Sequence, residues 1–168
     1  IIFALLCNTL FAGITTYTFT SKDWKSKVDA NMCDGKIDGW VCDKEAYNYS
    51  QGYTDASGRV YSRGVSVKTG TSGAGATSVV VFEDVRMIDI NFCQNTSKGK
   101  GSIFIQVGEN EAYELVINAP QKSHGQYNRD TTVQIITPQT GKVRFWVNCT
   151  ENAININTIT IWSANGGS

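Results

Sequence analysis

The sequence predicts an all-β protein, an antiparallel β-sandwich of the jelly-roll kind, and three observations predict it. Nine stretches alternate, or run apolar, with β-branched and aromatic residues at the two-residue period of strands. Beyond Thr15 nothing carries the period of a helix longer than a turn, so no helical crossovers are available to build a parallel sheet. Turns rich in Gly, Asn and Ser separate the stretches, and 168 residues suffice for one domain with a real core of roughly eight to ten strands.

Taken in order, the chain opens on the apolar run "IIFALLCNTLFAGITT", which reaches small residues at Ala12 and Gly13. We expect residues 1–14 to be a truncated signal peptide, its charged segment missing ahead of Ile1, with a buried first strand as the plainer reading. The run is too short to span a bilayer. Cys7 is not read as a lipidation site, because Leu6 precedes it where a small residue is wanted. The sandwich is expected over residues 15–163 and a flexible tail or linker over 164–168, beyond which further domains are expected.

Within the sandwich the expected strands are "TTYTFT", "RGVSVKT", "TSVVVFE", "RMIDINFC", "GSIFIQV", "AYELVIN", "TTVQIIT", "KVRFWVNC" and "ININTITIW". Ile103, Ile105 and Val107 should share one face, as should Tyr113, Leu115 and Ile117, and Val143, Phe145 and Val147. In the last stretch Ile154 and Ile156 have one parity and Ile159 and Ile161 the other, which calls for a bulge near Asn157 and Thr158, at a sheet edge or bend. "TTYTFT" is expected beside that last strand, because jelly rolls bring their ends together.

Export would place the cysteines in an oxidising compartment. Cys33, Cys42, Cys93 and Cys149 allow three connectivities; short separation favours Cys33 with Cys42, leaving Cys93 with Cys149. Zinc is not supported, since no C-x-x-C pair occurs and His124 is the one histidine.

The stretch "QNTSKGKGSIFIQV" contains Gly-Lys-Gly-Ser but is not a phosphate loop. Gln94 stands where the first glycine belongs, Gly101 follows Lys100, and a strand follows instead of a helix. A hairpin tip is expected there. Fifteen basic residues balance fifteen acidic ones, so no summed field draws in nucleic acid or an anionic membrane. No membrane insertion of the mature chain is expected.

Catalysis finds little footing. Ser123, His124 and Asp130 are neighbours in one loop without a strained nucleophile turn, and Asp89, Glu109, Glu111 and Glu114 read as solvated carboxylates rather than a glycosidase pair. "DANMCDGKIDG" breaks the calcium-loop order, with Cys33 at the fifth position and Asp34 where glycine belongs. No enzyme activity, metal or cofactor is expected. "NYS", "NTS" and "NCT" fit the glycosylation pattern, which matters only in a eukaryotic secretory route.

The segment "ATSVVVFEDVRMIDINFCQNTSKGKGSIFIQVGENEA", followed by "GKVRFWVNCTENAININTITIW", resembles a secreted bacterial β-sandwich module of galactose-binding-like type. Such modules occur in surface and exported proteins of gut anaerobes, often beside polysaccharide-active domains. The resemblance implies a non-catalytic role in secreted, periplasmic or cell-surface protein, and it supplies no catalytic residues.

These readings converge on a carbohydrate-binding accessory module, with a structural or adhesive spacer as the alternative. The expected glycan site is Gly39 to Tyr53: Trp40, Tyr47, Tyr49 and Tyr53 offer flat apolar faces, and Asp43, Asn48 and Gln51 could bond hydroxyls. The zero net charge suggests a neutral polymer. Packing of the same tyrosines onto the sandwich is the competing role.

Overall fold

The computed structural model describes residues 13–19, 39–42, 47–48, 53–54, 60–61, 65–67, 72–94, 100–118, 129–151 and 154–166. Within these, residues 42, 47–48, 53–54, 60–61, 65–67, 74, 93–94, 129–130 and 155 are described by backbone alone. The strands are β1 (Gly13–Thr18), β2 (Trp40–Cys42), β3 (Tyr47–Asn48), β4 (Tyr53–Thr54), β5 (Val60–Tyr61), β6 (Val65–Val67), β7 (Ala74–Ser78), β8 (Phe82–Gln94), β9 (Lys100–Val107), β10 (Tyr113–Ile117), β11 (Arg129–Gly141), β12 (Val143–Glu151) and β13 (Ile154–Ser163).

They form two antiparallel sheets packed as a jelly-roll sandwich. One, six-stranded, runs β11-β8-β13-β6-β3, with β1 also on β13; the other, five-stranded, runs β10-β9-β12-β7-β2, and β4 pairs β5 separately. From β6 onward only β9–β10 stays within a sheet; every other connection carries the chain across the sandwich. The expected hairpin around Gly99 and Gly101 is therefore corrected: β8 and β9 belong to different sheets, and the connection between them is a crossover. Two alternating strands in sequence fit a hairpin and a crossover equally well, because pairing is decided by partners remote in sequence.

Alternation sets which faces meet. Ile103, Ile105 and Val107 of β9 and Val143, Phe145 and Val147 of β12 are fully buried, as are Ile88 and Ile90 of β8. On β10, Ile117 is buried, while Tyr113 and Leu115 are partly buried against the same core.

In β13 the parity conflict is resolved by a register shift between Ile156 and Thr158, so Ile154, Ile156, Ile159 and Ile161 all reach the core. The bulge lies inside the sheet, at the point where β13 changes partner along one side: Ile154 to Ile156 pair with β6, and Thr158 to Ser163 pair with β1. The buried residue Asn157 donates from Nδ2 to Asn91 Oδ1 at 2.9 Å, and its carbonyl accepts from Phe19 N at 2.8 Å. The displaced backbone is thus kept hydrogen bonded.

Three boundaries differ from expectation. Val79 and Val81, read as part of a strand, are 54% and 47% exposed in the β7–β8 crossover. There Ser78 Oγ donates to Val80 O at 2.8 Å and accepts from Val143 N at 2.9 Å, a turn that apolar content alone does not reveal. β1 begins at Gly13, so the sandwich takes up Gly13 and Ile14, and residues 1–12 lie outside the described ones. Ala164 to Gly166, expected in the tail, are tied down. Ala164 N donates to Glu83 O at 2.7 Å, Asn165 Nδ2 to Val81 O at 3.0 Å, and the Thr15 hydroxyl to Gly166 O.

Close approach of strands fixes one glycine with particular force. A Cβ on Gly75 of β7 would stand 1.8 Å from the Phe145 carbonyl oxygen of β12, a contact only a shift of the strands could relieve. We therefore expect Gly75→Ala to lose about 1–3 kcal/mol of stability, measured as a lowered midpoint in urea unfolding; an unchanged midpoint would show that β7 yields freely.

Candidate functional site: an aromatic face on the five-stranded sheet

The residues that alternate with the core positions of β9 and β12 point outward. On β9 these are Ser102, Phe104 and Gln106, and on β12 they are Arg144, Trp146 and Asn148. Register pairs Trp146 with Phe104, Arg144 with Gln106, and Asn148 with Ser102, so the aromatics meet at the middle of the sheet. Their rings are stacked, with centroids 5.1 Å apart and planes 6° from parallel. The Arg144 guanidinium carbon lies over the Trp146 ring, 4.7 Å from its centroid, a cation–π contact that sets the cation on the face of the indole. Both aromatic side chains are half-buried, so part of the pair is presented to solvent.

Polar groups surround the pair. Ser102 Oγ donates to Glu114 Oε1 of β10 at 2.6 Å, and Asn148 Oδ1 accepts from Ser72 Oγ and Gly73 N, each at 2.9 Å. Toward the β9–β10 turn the face deepens into a cleft of about 460 Å³ lined by Thr77, Gln106, Glu109, Lys142 and Arg144. Two glycines, Gly108 and Gly141, also line it. Gly141 (φ 155°) sits so close to Gly108 (φ 58°) that a Cβ on Gly141 would lie 2.4 Å from the Gly108 Cα. Gly108 N donates to Lys142 O at 2.8 Å, fastening the turn to the crossover.

The site expected from sequence is not assembled in this way. Trp40 is 1% exposed and packs edge-on against Tyr17 and Phe19, with centroids 5.2 and 5.5 Å away, and tilted against Phe145 at 5.6 Å. It is a core residue, and no face of it is free for a sugar; β2 delivers it to the sandwich interior by pairing it with Ser78. Tyr47 and Asn48 are placed by backbone on β3, against β6 in the six-stranded sheet, and Tyr53 on β4 against β5. Asp43, Tyr49 and Gln51 lie outside the described residues.

Cys33 also lies outside them, and Cys42 and Cys93 are described by backbone only. Cys149 carries a buried thiol that donates to Glu151 O at 3.6 Å, so the expected Cys93–Cys149 bond is not present. Burial raises the Cys149 thiol above its ordinary value, against the lowering effect of backbone hydrogen bonds, and burial alone raises the Tyr17 phenol.

Ser123 and His124 fall outside the described residues, and Asp130 is described by backbone only. Asp89 is on β8 of the six-stranded sheet, whereas Glu109, Glu111 and Glu114 belong to the β9–β10 region of the other. Asp89 and Glu114 therefore stand on different sheets of the sandwich. Among the described residues no group of three or more His, Cys, Asp or Glu could hold a metal, and no helix is long and apolar enough to cross a membrane.

No family model matches the chain, and no curated protein matches it. Among solved structures it is similar to the K2 cleaved adhesin domain of Lys-gingipain, at 15% identity over 89% of this chain and 99% of that one, with a TM-score of 0.50. That likeness shows a shared fold. The CBM35 from Cellvibrio japonicus Abf62 matches at 13% identity over 89% of this chain and 92% of that one, with a TM-score of 0.48. The C-terminal CBM6 of LamC from Zobellia galactanivorans matches at 14% identity over 90% of this chain and all (100%) of that one, with a TM-score of 0.43.

The two tryptophans should respond differently to truncation. Trp40→Ala is expected to cost about 3–5 kcal/mol, and Trp146→Ala less than about 1.5 kcal/mol because its ring is already partly in water; urea unfolding of both variants checks this, and equal losses would contradict it. A second expectation concerns pH. Groups kept neutral by burial favour the folded state below their ordinary values, 9.0 for Cys149 and 10.0 for Tyr17, and that contribution disappears as pH rises through their raised native values. Unfolding free energy should therefore decline above 9.0, with Cys149→Ala removing the first part of the decline; stability that stays level through this range would contradict the burial of both groups.

Proposed function

We propose that this chain is a non-catalytic, exported accessory module that binds carbohydrate on the outer face of its five-stranded sheet. One observation carries the reading: a stacked Phe104–Trp146 pair, with Arg144 over the Trp146 ring, sits outward on the sheet and is rimmed by hydrogen-bonding side chains. A sugar ring has an apolar C–H face and a hydroxyl rim, and aromatic carbon with polar groups at its border answers both. A site on strands is pre-formed, so little ordering entropy is spent when ligand arrives. The aromatics Tyr47, Tyr49 and Tyr53, with Asp43, Asn48 and Gln51, enter the proposal as a second contact region, while Trp40 drops out of it. Export, to the periplasm, the cell surface or beyond, and a Cys33–Cys42 bond belong to the same reading.

Affinity electrophoresis against a panel of soluble plant, algal and bacterial polysaccharides tests it. Native protein should be retarded by at least one, and Phe104→Ala and Trp146→Ala should each weaken the interaction at least about tenfold. Full binding by folded Trp146→Ala, with loss in Tyr49→Ala, would move the site to the 39–53 segment. No retardation across the panel would leave the structural spacer as the function.

A further inference from the structure

The chain has no net charge, which suggests a neutral ligand, but the aromatic face is not neutral in its detail. The Arg144 guanidinium carbon lies over the Trp146 ring, 4.7 Å from its centroid, so a cation stands on the aromatic pair itself. Lys142 lines the adjoining cleft, is exposed, and makes no ion pair among the described residues. Glu109 lines the same cleft and can accept sugar hydroxyls; its charge also keeps the cleft from becoming the uniformly cationic surface that a nucleic-acid backbone requires.

Resting on the proposed function, we infer that the cleft beside Trp146 takes a carboxylate borne by the sugar chain, so that the ligand is an acidic polysaccharide. The guanidinium of Arg144 is a planar fork of donors matched to a carboxylate, and its contact with the indole limits the orientations it can adopt before ligand arrives. Lys142, the residue immediately before β12, adds a point charge on a flexible stem that can reach the same anion. The two glycines let these walls meet: with a Cβ on Gly108, 2.8 Å from Thr140 O, or on Gly141, the turn and the crossover that line the cleft could not lie so close. Aromatic pair, cation and cleft therefore read a ring and its acidic substituent together.

The test compares polygalacturonate with its methyl ester, which keeps the sugar and removes the charge, using the full chain and isothermal titration. Native protein should bind the acid form at least about tenfold more tightly, the scale of one charge-assisted hydrogen bond. The preference should shrink as salt is added. In Lys142→Gln and Arg144→Gln the ratio of acid to ester affinity should fall toward one, and circular dichroism confirms that each variant is folded. Equal binding of acid and ester by native protein overturns this inference and leaves carbohydrate binding standing. If neither form binds, and neither does any other acidic glycan in the panel, while a neutral glycan does, the inference is likewise overturned; if nothing binds at all, the proposed function falls and takes the inference with it.

Discussion

Strand β13 has to bury four isoleucines on one face although the spacing between Ile156 and Ile159 is odd, and the rest of the sandwich depends on how that conflict is resolved. A strand with an unbroken two-residue period would turn either Ile154 and Ile156 or Ile159 and Ile161 into water. One extra residue, Asn157, restores the phase. Its backbone carbonyl accepts from Phe19 N and its side-chain amide donates to Asn91, so both of these buried polar groups are hydrogen bonded.

That one bulge organises both ends of the chain. Because β13 changes partner there, β1 and β6 can share its flank end to end, and the hydrogen bond from Phe19 holds that residue in the interior. Phe19 then meets Phe145 at a centroid distance of 5.3 Å and Trp40 at 5.5 Å, joining the six-stranded sheet to the five-stranded one. With Phe145 held from below, β12 presents Trp146 on its opposite face in a fixed position. The core and the candidate site are two parities of the same strand. Surface contacts add little to this arrangement: the Lys100–Glu151 pair, at 2.8 Å, is exposed at both side chains.

How much of this was legible in the sequence follows from which interactions are local. Strand character, the inward faces of β9 and β12, and the bulge at Asn157 are written in alternation, a property of neighbouring residues. The course of the chain is not. The "KGKGS" stretch looks like a hairpin until β8 and β9 are seen to pair with different strands, and Val79 and Val81 look like strand until Ser78 is seen to turn the backbone. The candidate site shows the same division. Phe104 and Trp146 each fall on the outward parity of an alternating stretch, which was a usable signal, but only the β9–β12 register brings them together. Trp40 departs from expectation for the converse reason: it follows a Gly in a stretch rich in polar residues, and its burial comes from pairing with β7 and contact with Phe19, both remote in sequence.

The central claim is that one sheet carries the core on one side and a ligand face on the other, and nuclear magnetic resonance can address both sides in one titration. Isotope-labelled protein would be titrated with an oligosaccharide that it binds, following backbone amides and the tryptophan indole N–H signals. The account predicts that the Trp146 indole and the amides of Phe104, Gln106 and Arg144 shift together with ligand, while the buried Trp40 indole stays in place. Shifts confined to the 39–53 segment, or a Trp40 indole that moves while Trp146 does not, would contradict it.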